Sequence, residues 1–552
     1  MAFRFRSVVG LANRKFPIKY AAMLLAGSGL LSALLGLFRD RWLNTLYLDT
    51  YPAGIDAYTA AFMIPDFMFF ILVSGALTVT FIPVFNQRLG SGNKKSAWEL
   101  ASSILNLLAI ITFVLTILLM IFADPLIRYV VGPGLDEQAT ALAINIMRVI
   151  SINLFLFAIS TVLSSMQQAV GRFVFFALAP ALYNIGILIG IMWFTHGINI
   201  FGVQLFEGGI MGVAIGVVLG AVMQTIVSVL GIVGLGFDYQ FKIHWKNNGL
   251  KAVLGLLPAR SVDQGIDYVN SIVNVNLASR MGPGVVRAYY QATNLQYMPV
   301  TLIGIAVSTA FFPQLSEDAD KSNEKYHSTL RTALRAITWL TMPVALVAYF
   351  ARGYVVSFVK NGGDMLIASL LGAFVVAIIC RSIFQIASRA FYAKQDTKTP
   401  LIVSIVAIGL NIVMSVTFTM VFKWGPEALA YAQSIGALLE IIILLIVLQI
   451  KSRGVLLDRH FWVGMLKISV ASVVMSVVTY LMVRWFPLMQ TDMSFFLVFP
   501  KFCLIVAASF LAYFAMGYVI GIEETKPLMN TIARIVFRNV KPAPTQTPDE
   551  KE

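Results

Sequence analysis

Apolar runs long enough to cross a bilayer recur along nearly the whole chain, separated by short, polar, mostly basic connections. Crossing a hydrocarbon core of about 30 Å takes roughly 20 helical residues. Fourteen runs reach that length, at about 20–38, 57–85, 98–123, 138–165, 173–195, 208–235, 252–279, 285–313, 329–351, 365–392, 399–423, 426–450, 464–485 and 498–521. The pattern predicts an all-α integral membrane protein of about fourteen spans, because a helix satisfies every backbone group internally where no water reaches.

Part of this pattern occurs twice. Ala76-x-Thr78-x-x-Phe81-x-Pro83 returns as Ala306-x-Ser308-x-x-Phe311-x-Pro313, 230 residues later, and a polar amphipathic stretch follows each copy, at 86–97 and 314–328. Gln168 and Asn184 are matched by Gln395 and Asn411 at the same spacing of 16. Duplicated bundles of interrupted helices are how many transporters build two halves around a central cavity. The chain therefore divides by sequence into an N-terminal lobe (1–235, spans 1–6), a C-terminal lobe (251–451, spans 7–12), an appended pair of spans (452–522) and a cytoplasmic tail (523–552). The lobes are joined by a linker, 236–250, where Lys242, His244 and Lys246 interleave with Phe241 and Trp245. That mixture predicts an amphipathic cytoplasmic helix lying in the interface, with a lipid head-group dock as the second reading. Pro65, Pro83, Pro299 and Pro313, with Gly75 and Gly304, interrupt spans and are the hinge candidates.

Composition agrees. Hydrophobic residues make up 58% of the 552 positions and charged ones 12%, about half the charge of a soluble domain. A net charge of +14 raises a nucleic-acid reading, but its distribution argues for topology. With both termini cytoplasmic, inner segments carry 24 lysines and arginines and outer ones 10, as the positive-inside rule expects. Cys380 and Cys503 both fall in predicted spans and read as buried thiols, with no disulfide framework and no metal site. The first nineteen residues are basic and read as no cleaved signal peptide. The tail from Lys541 has the composition of a disordered segment.

Ionisable groups inside a span usually face a partner or a cavity. In span 7, Arg260, Asp263, Asp267, Asn270 and Asn274 fall within an arc of about 80°. They form either an internal ion cluster or the polar lining of a cavity that binds substrate or a coupling cation, Na+ or H+. Span 10 places Arg381, Gln385 and Arg389 on one face without an acid, Arg148 stands alone in span 4, and Arg39-Asp40-Arg41 closes span 1 ahead of Asp56. Guanidinium groups of this kind suit an anionic, phosphate-bearing substrate; the alternative for Arg39 and Arg389 is snorkelling from span ends. Glu440 is the acid available to neutralise one of them. There is no Gly-rich phosphate loop, metal-ligand spacing or nucleophile–base order, so the expectation is a transporter without catalytic residues, metal or cofactor.

Several strings resemble the MurJ (MviN) lipid II flippase family, within the multidrug/oligosaccharidyl-lipid/polysaccharide transporter superfamily: Gly36-Leu-Phe-Arg39-Asp40, Asp56-Ala-x-x-Ala-Ala-Phe-x-Ile64-Pro65, Phe81-Ile-Pro83-Val84, Met147-Arg148, Ala179-Pro180-x-Leu182-x-Asn184, and Ala390-Phe391-Tyr392-Ala-x-Gln395-Asp396-Thr397-Lys398-Thr399-Pro400. The resemblance runs from about 30 to 450. It implies two six-helix lobes around a cavity, with the last two spans forming a groove for a lipid tail. It implies alternating access that carries undecaprenyl-diphosphate-linked peptidoglycan precursor to the outer leaflet of a bacterial inner membrane, driven by membrane potential or a cation gradient. It places the chain in cell-wall biogenesis, beside the cell-wall synthesis machinery. Arg39 and Asp56 match cavity residues of the family. In an ungapped alignment the family's other cavity cations fall on Ala33, Phe69-Phe70, Asn294 and Gln385. Either Arg148, Arg381 and Arg389 take over diphosphate binding, or the cargo is another polyprenyl-linked glycan. A cation-coupled drug exporter of the same superfamily and a non-transporting membrane scaffold are the remaining alternatives, with an integral membrane transferase a distant one because no acid or histidine cluster sits on a loop.

Overall fold

The structure, a computed structural model, describes residues 18–74, 81–200, 203–206, 208–452, 455–489 and 491–525; the side chains of 18, 19, 21, 22, 74, 198–200, 203–206 and 256–264 are outside that description. The expectations for the N-terminal basic segment to residue 17, the tail from 526, Gly75, and the side chains of Arg260 and Asp263 therefore lie outside the described residues.

All fourteen predicted spans fall on helices. In chain order these are α1 (Ile18–Tyr47), α2 (Pro52–Phe69), α3 (Ile82–Gly90), α4 (Lys94–Ile121), α5 (Glu137–Ile150), α6 (Ile152–Val170), α7 (Val174–Trp193), α8 (Ile210–Ile232), α9 (Asn248–Ser279) and α10 (Val285–Pro299). They continue as α11 (Ala306–Lys321), α12 (Asn323–Phe350), α13 (Arg352–Ser357), α14 (Met365–Ala373), α15 (Val375–Ala393), α16 (Lys398–Val416), α17 (Glu427–Lys451), α18 (Arg459–Trp485) and α19 (Phe495–Ile520). Among the described residues, 13 helical stretches are long and apolar enough to cross a membrane. The fourteenth expected span, α9, is 32 residues long and is not among them; its sequence is rich in amides and serines as well as charge. Sequence reading missed a two-stranded antiparallel hairpin, β1 (Ile198–Ile200) and β2 (Val203–Phe206), between α7 and α8.

Helix starts follow local chemistry. The side chains of Asn93, Asp136, Asn247, Ser322 and Asp458 each accept a hydrogen bond from a first-turn backbone N–H, satisfying donors that a helix leaves free. Wide, five-residue-repeat turns interrupt spans at matching places, Phe70–Ser74 and Val300–Ile305, 230 positions apart; others follow α4 at Leu126–Val131 and α16 at Thr417–Val421. Of the hinge candidates, Pro299 immediately precedes the turn at Val300–Ile305 and Gly304 lies within it. Pro65 is inside α2, Pro83 opens α3 and Pro313 is inside α11.

The described chain packs as two compact units. The first runs to Asn294 and adds Val355–Ala373 and Ser404–Gly436; the second comprises Leu295–Tyr354, Phe374–Val403 and the chain from Ala437. In the first unit α7 and α8 meet through glycines. A Cβ on Gly186 would fall 2.3 Å from the Cα of Gly220, and one on Gly190 would fall 2.6 Å from the Cα of Gly216. In lipid, where apolar contact alone does not draw helices together, such close backbone approach supplies the packing. In the second unit the appended pair is fixed by polar contacts: Thr479 Oγ1 donates to Ser509 Oγ at 2.8 Å, and Tyr513 Oη donates to the Trp339 carbonyl at 3.0 Å.

Two expectations are corrected. The linker carries no helix between 236 and 247. It runs along α4, where Ser102 Oγ and Ser103 Oγ accept from the N–H groups of Gln240 and His244, and Asn106 Nδ2 donates to the carbonyls of Gln240 and Lys242. Once those polar groups are satisfied by a neighbouring helix, the segment needs no helix of its own. Cys380 is buried as expected, but Cys503 is exposed on α19; its span has a lipid-facing surface, and a small apolar thiol is tolerated there.

Candidate functional site

The first unit contains a cavity of about 240 Å³ lined by Arg39 and Asp40 of α1, Tyr58, Phe62 and Asp66 of α2, Tyr183 of α7, and Arg287 and Tyr290 of α10. Each contribution follows from helical spacing. Tyr58, Phe62 and Asp66 recur every four residues on one face of α2, and Arg287 and Tyr290 are three apart on α10.

At its centre is a charge cluster. Arg39 donates to Asp40 Oδ1 through Nη2 at 3.0 Å and to Asn184 Oδ1 through Nη1 at 2.9 Å. Arg287, whose side chain is 3% exposed, donates through Nη2 to the same Asp40 oxygen at 3.2 Å and through Nε to Asn44 Oδ1 at 2.7 Å. Its guanidinium also lies over the Tyr290 ring, 5.7 Å from the centroid. One carboxylate thus holds two arginines, leaving an excess of positive charge at that point. Asp66, half-buried at the cavity wall, forms no ion pair among the described residues. Two cations, one shared acid and one unpaired acid, walled by phenols and phenyl rings, suit a diphosphate or a small cation better than an apolar solute.

Asp56 has a different place from the one the resemblance implied. Its carboxylate accepts from the N–H of Gly284 at 2.6 Å and of Arg287 at 2.7 Å, capping the start of α10. It is 1% exposed and positions Arg287 without lining the cavity. Arg148 is exposed on α5, with Nε donating to the Met120 carbonyl at 3.3 Å, outside the cavity. In the second unit, Arg381 donates to Tyr297 Oη at 2.8 Å and stacks on that ring, and Arg389 lies over Phe312. Asn294 sits two turns beyond Arg287 on α10.

The amide candidates form a second, neutral centre in the first unit. Asn270 Oδ1 accepts from Asn274 Nδ2 at 3.2 Å and from Asn411 Nδ2 at 3.3 Å. Asp267 is exposed on the same helix. In the second unit, the conspicuous string 390–400 is a capping turn: Asp396 accepts from the Thr399 N–H and hydroxyl and from Lys451 Nζ. The hydrogen bonds from Lys451 and then Thr399 draw its carboxyl down to about 2.

Sequence reasoning missed Arg287, Asp66 and the three tyrosines. Asp66 was legible as the one acid in the apolar run 57–85. Arg287, counted among outer connections, had no such signal.

Comparison with known proteins agrees with this picture. A family model described as lipid II flippase MurJ matches residues 52–500. A probable lipid II flippase MurJ of Bdellovibrio bacteriovorus is 26% identical over 533 residues, covering 93% of this chain and 97% of the relative. The lipid II flippase MurJ of Burkholderia cenocepacia is 25% identical over 458 residues, covering 80% and 85%. Among solved structures, a lipid II flippase MurJ in an inward closed conformation superposes with a TM-score of 0.69 at 23% identity, covering 94% of this chain and 99% of that one. An inward-facing multidrug resistance MATE family transporter of the MOP superfamily reaches 0.63 at 17% identity, covering 78% and 98%. The two structures speak to the fold.

Proposed function

Because this chain belongs to the lipid II flippase MurJ family, we propose that it moves lipid II, the undecaprenyl-diphosphate-linked peptidoglycan precursor, from the inner to the outer leaflet of a bacterial cytoplasmic membrane by alternating access. The observation that carries the reading is the cluster in which Asp40 holds both Arg39 and Arg287 at the wall of a phenol-lined cavity. A diphosphate entering there replaces Asp40 as the acceptor for guanidinium forks already aimed at one point. In this reading Arg39 and Arg287 take the anionic head group, in place of Arg148, Arg381 and Arg389, and the prenyl tail stays in lipid against α18 and α19.

The lobes 1–235 and 251–451 rock around the cavity, and both termini face the cytoplasm. Na+ or H+ at Asp66, or at Asp263 and Asp267 with Asn270 and Asn411, biases the rocking, since a ligand shifts a two-state equilibrium only through differential affinity. The chain acts without catalytic residues or cofactor, alongside the cell-wall synthesis machinery.

The test is depletion and rescue in a bacterium stripped of its own lipid II flippase, reading lipid II exposure at the outer leaflet. Restored growth with restored exposure is expected. A correctly inserted, abundant protein that restores neither overturns the reading. The fold shared with a MATE transporter favours one second reading, cation-coupled drug export, which the same strain reports as resistance to cationic dyes. Rescue by transport of another polyprenyl-linked glycan appears as exposure of that glycan alone.

A further inference from the structure

Away from the charge cluster, the first unit holds a cavity of about 770 Å³ where the linker crosses the starts of α4 and α9. Arg88, Lys95, Lys242 and Lys246 line it with His244, against a single carboxylate, Glu99. Among the described residues, none of the four cations forms an ion pair. Like charges gathered round a cavity repel each other unless an anion sits among them. The surrounding backbone adds to the same sign: Ser96 lies in the first turn of α4 and Asn248 opens α9, so two helix N-termini, each carrying partial positive charge, open on the space. His244 Nε2 is buried with no partner among the described residues. Gly249 leaves room for Arg88, since a Cβ there would fall 2.7 Å from its guanidinium carbon. Beside the cavity, Phe241 is 88% and Trp245 58% exposed.

We propose that this cavity binds the phosphate of an anionic phospholipid head group and clamps the linker between the repeated halves to the membrane surface. A free phosphate ion shares the recognised chemistry. The lipid is the source the structure favours, because exposed aromatic side chains at the ends of membrane spans sit at head-group level and basic segments there attract anionic lipid.

The test uses the full-length protein in phosphatidylcholine vesicles containing a tenth of dibromo-acyl phosphatidylglycerol, with Trp245 fluorescence isolated by subtracting the Trp245→Phe variant. Quenching by the brominated phosphatidylglycerol should exceed that by equally brominated phosphatidylcholine by about threefold or more, as a charge-selected site requires. Replacing Lys95, Lys242 and Lys246 by Gln should remove the excess, and replacing them by Arg should keep it. Lys246→Glu, at an exposed position, gives the same answer should the triple variant fail to insert. Equal quenching by the two lipids, or an excess that survives Lys246→Glu, overturns the proposal. Equal quenching by the two lipids together with a Trp245 fluorescence change on adding inorganic phosphate assigns the site to the free ion and overturns the lipid assignment.

Discussion

Asn184 and Asn411 hold matching positions in a duplicated pattern, and each grips the first long helix of its own copy. Asn184 Nδ2 donates to the carbonyl and hydroxyl of Ser32 on α1, both at 3.2 Å, while Asn411 Nδ2 donates to Asn270 on α9. Their company differs. Asn184 also accepts from Arg39 and so belongs to a cluster of three charges; Asn411 keeps to amides and the Ser415 hydroxyl. Duplication preserved where a helix is held and not what is held there. Buried charge is costly in a membrane protein and is usually found where it acts.

This contrast can be broken in graded steps. Arg287→Ala leaves Asp40 paired to Arg39 but removes two hydrogen bonds made by a buried guanidinium, to Asp40 and to Asn44, and should cost about 3 kcal/mol or more at about 1.5–3 kcal/mol each, with transport lost; thermal unfolding in detergent and lipid II exposure together check it. Arg39→Ala leaves Asp40 paired to Arg287, so the fold should survive while head-group affinity falls about 10–100-fold, the equivalent of one charge-assisted hydrogen bond; a binding titration with purified protein reads it. Asp56→Asn keeps an acceptor for one N–H of α10 and loses the charge at a helix start, worth about 1 kcal/mol, seen as a lowered unfolding temperature. Asn411→Ala removes a neutral contact and should cost about 0.6–1 kcal/mol, leaving head-group binding unchanged. A large loss of binding there would erase the distinction between the two centres.

The smallest effect is a control in the other unit. Asp396 is held near 2, below its ordinary 3.8. A lowered folded-state value stabilises above the ordinary carboxyl range and is lost as pH falls through the folded value. The unfolding-temperature difference between the parent and Asp396→Asn should therefore be flat from neutral pH to about 4.5 and close between roughly 4 and 2.

How far the sequence was legible follows from the range of each signal. Spans are written locally, as twenty apolar residues in a row, and every one was found. Arg39 stood out because a charge at the end of such a run is conspicuous. Arg287 looked like any outer arginine, and only folding brings it to Asp40, 247 positions away. The linker's composition promised an amphipathic helix, but Ser102, Ser103 and Asn106 offered its backbone other partners. The string 390–400, the most distinctive by resemblance, turned out to be a capped turn. Distinctive sequence there reflects demanding backbone geometry, including the positive φ of 59° at Gln395, and no substrate chemistry needs to be invoked. The Gly186/Gly190 and Gly212/Gly216/Gly220 spacing was readable as a small-residue packing face and went unused.

The wide turns at Phe70–Ser74 and Val300–Ile305 are each one residue too long for an ordinary helix. Deleting that residue would let the helix close normally, yet it would rotate everything beyond it by about 100°, so a shorter chain would be better built and worse aimed. Both copies carry the wide turn at matching places, 230 positions apart, so the same deletion would misaim each of them.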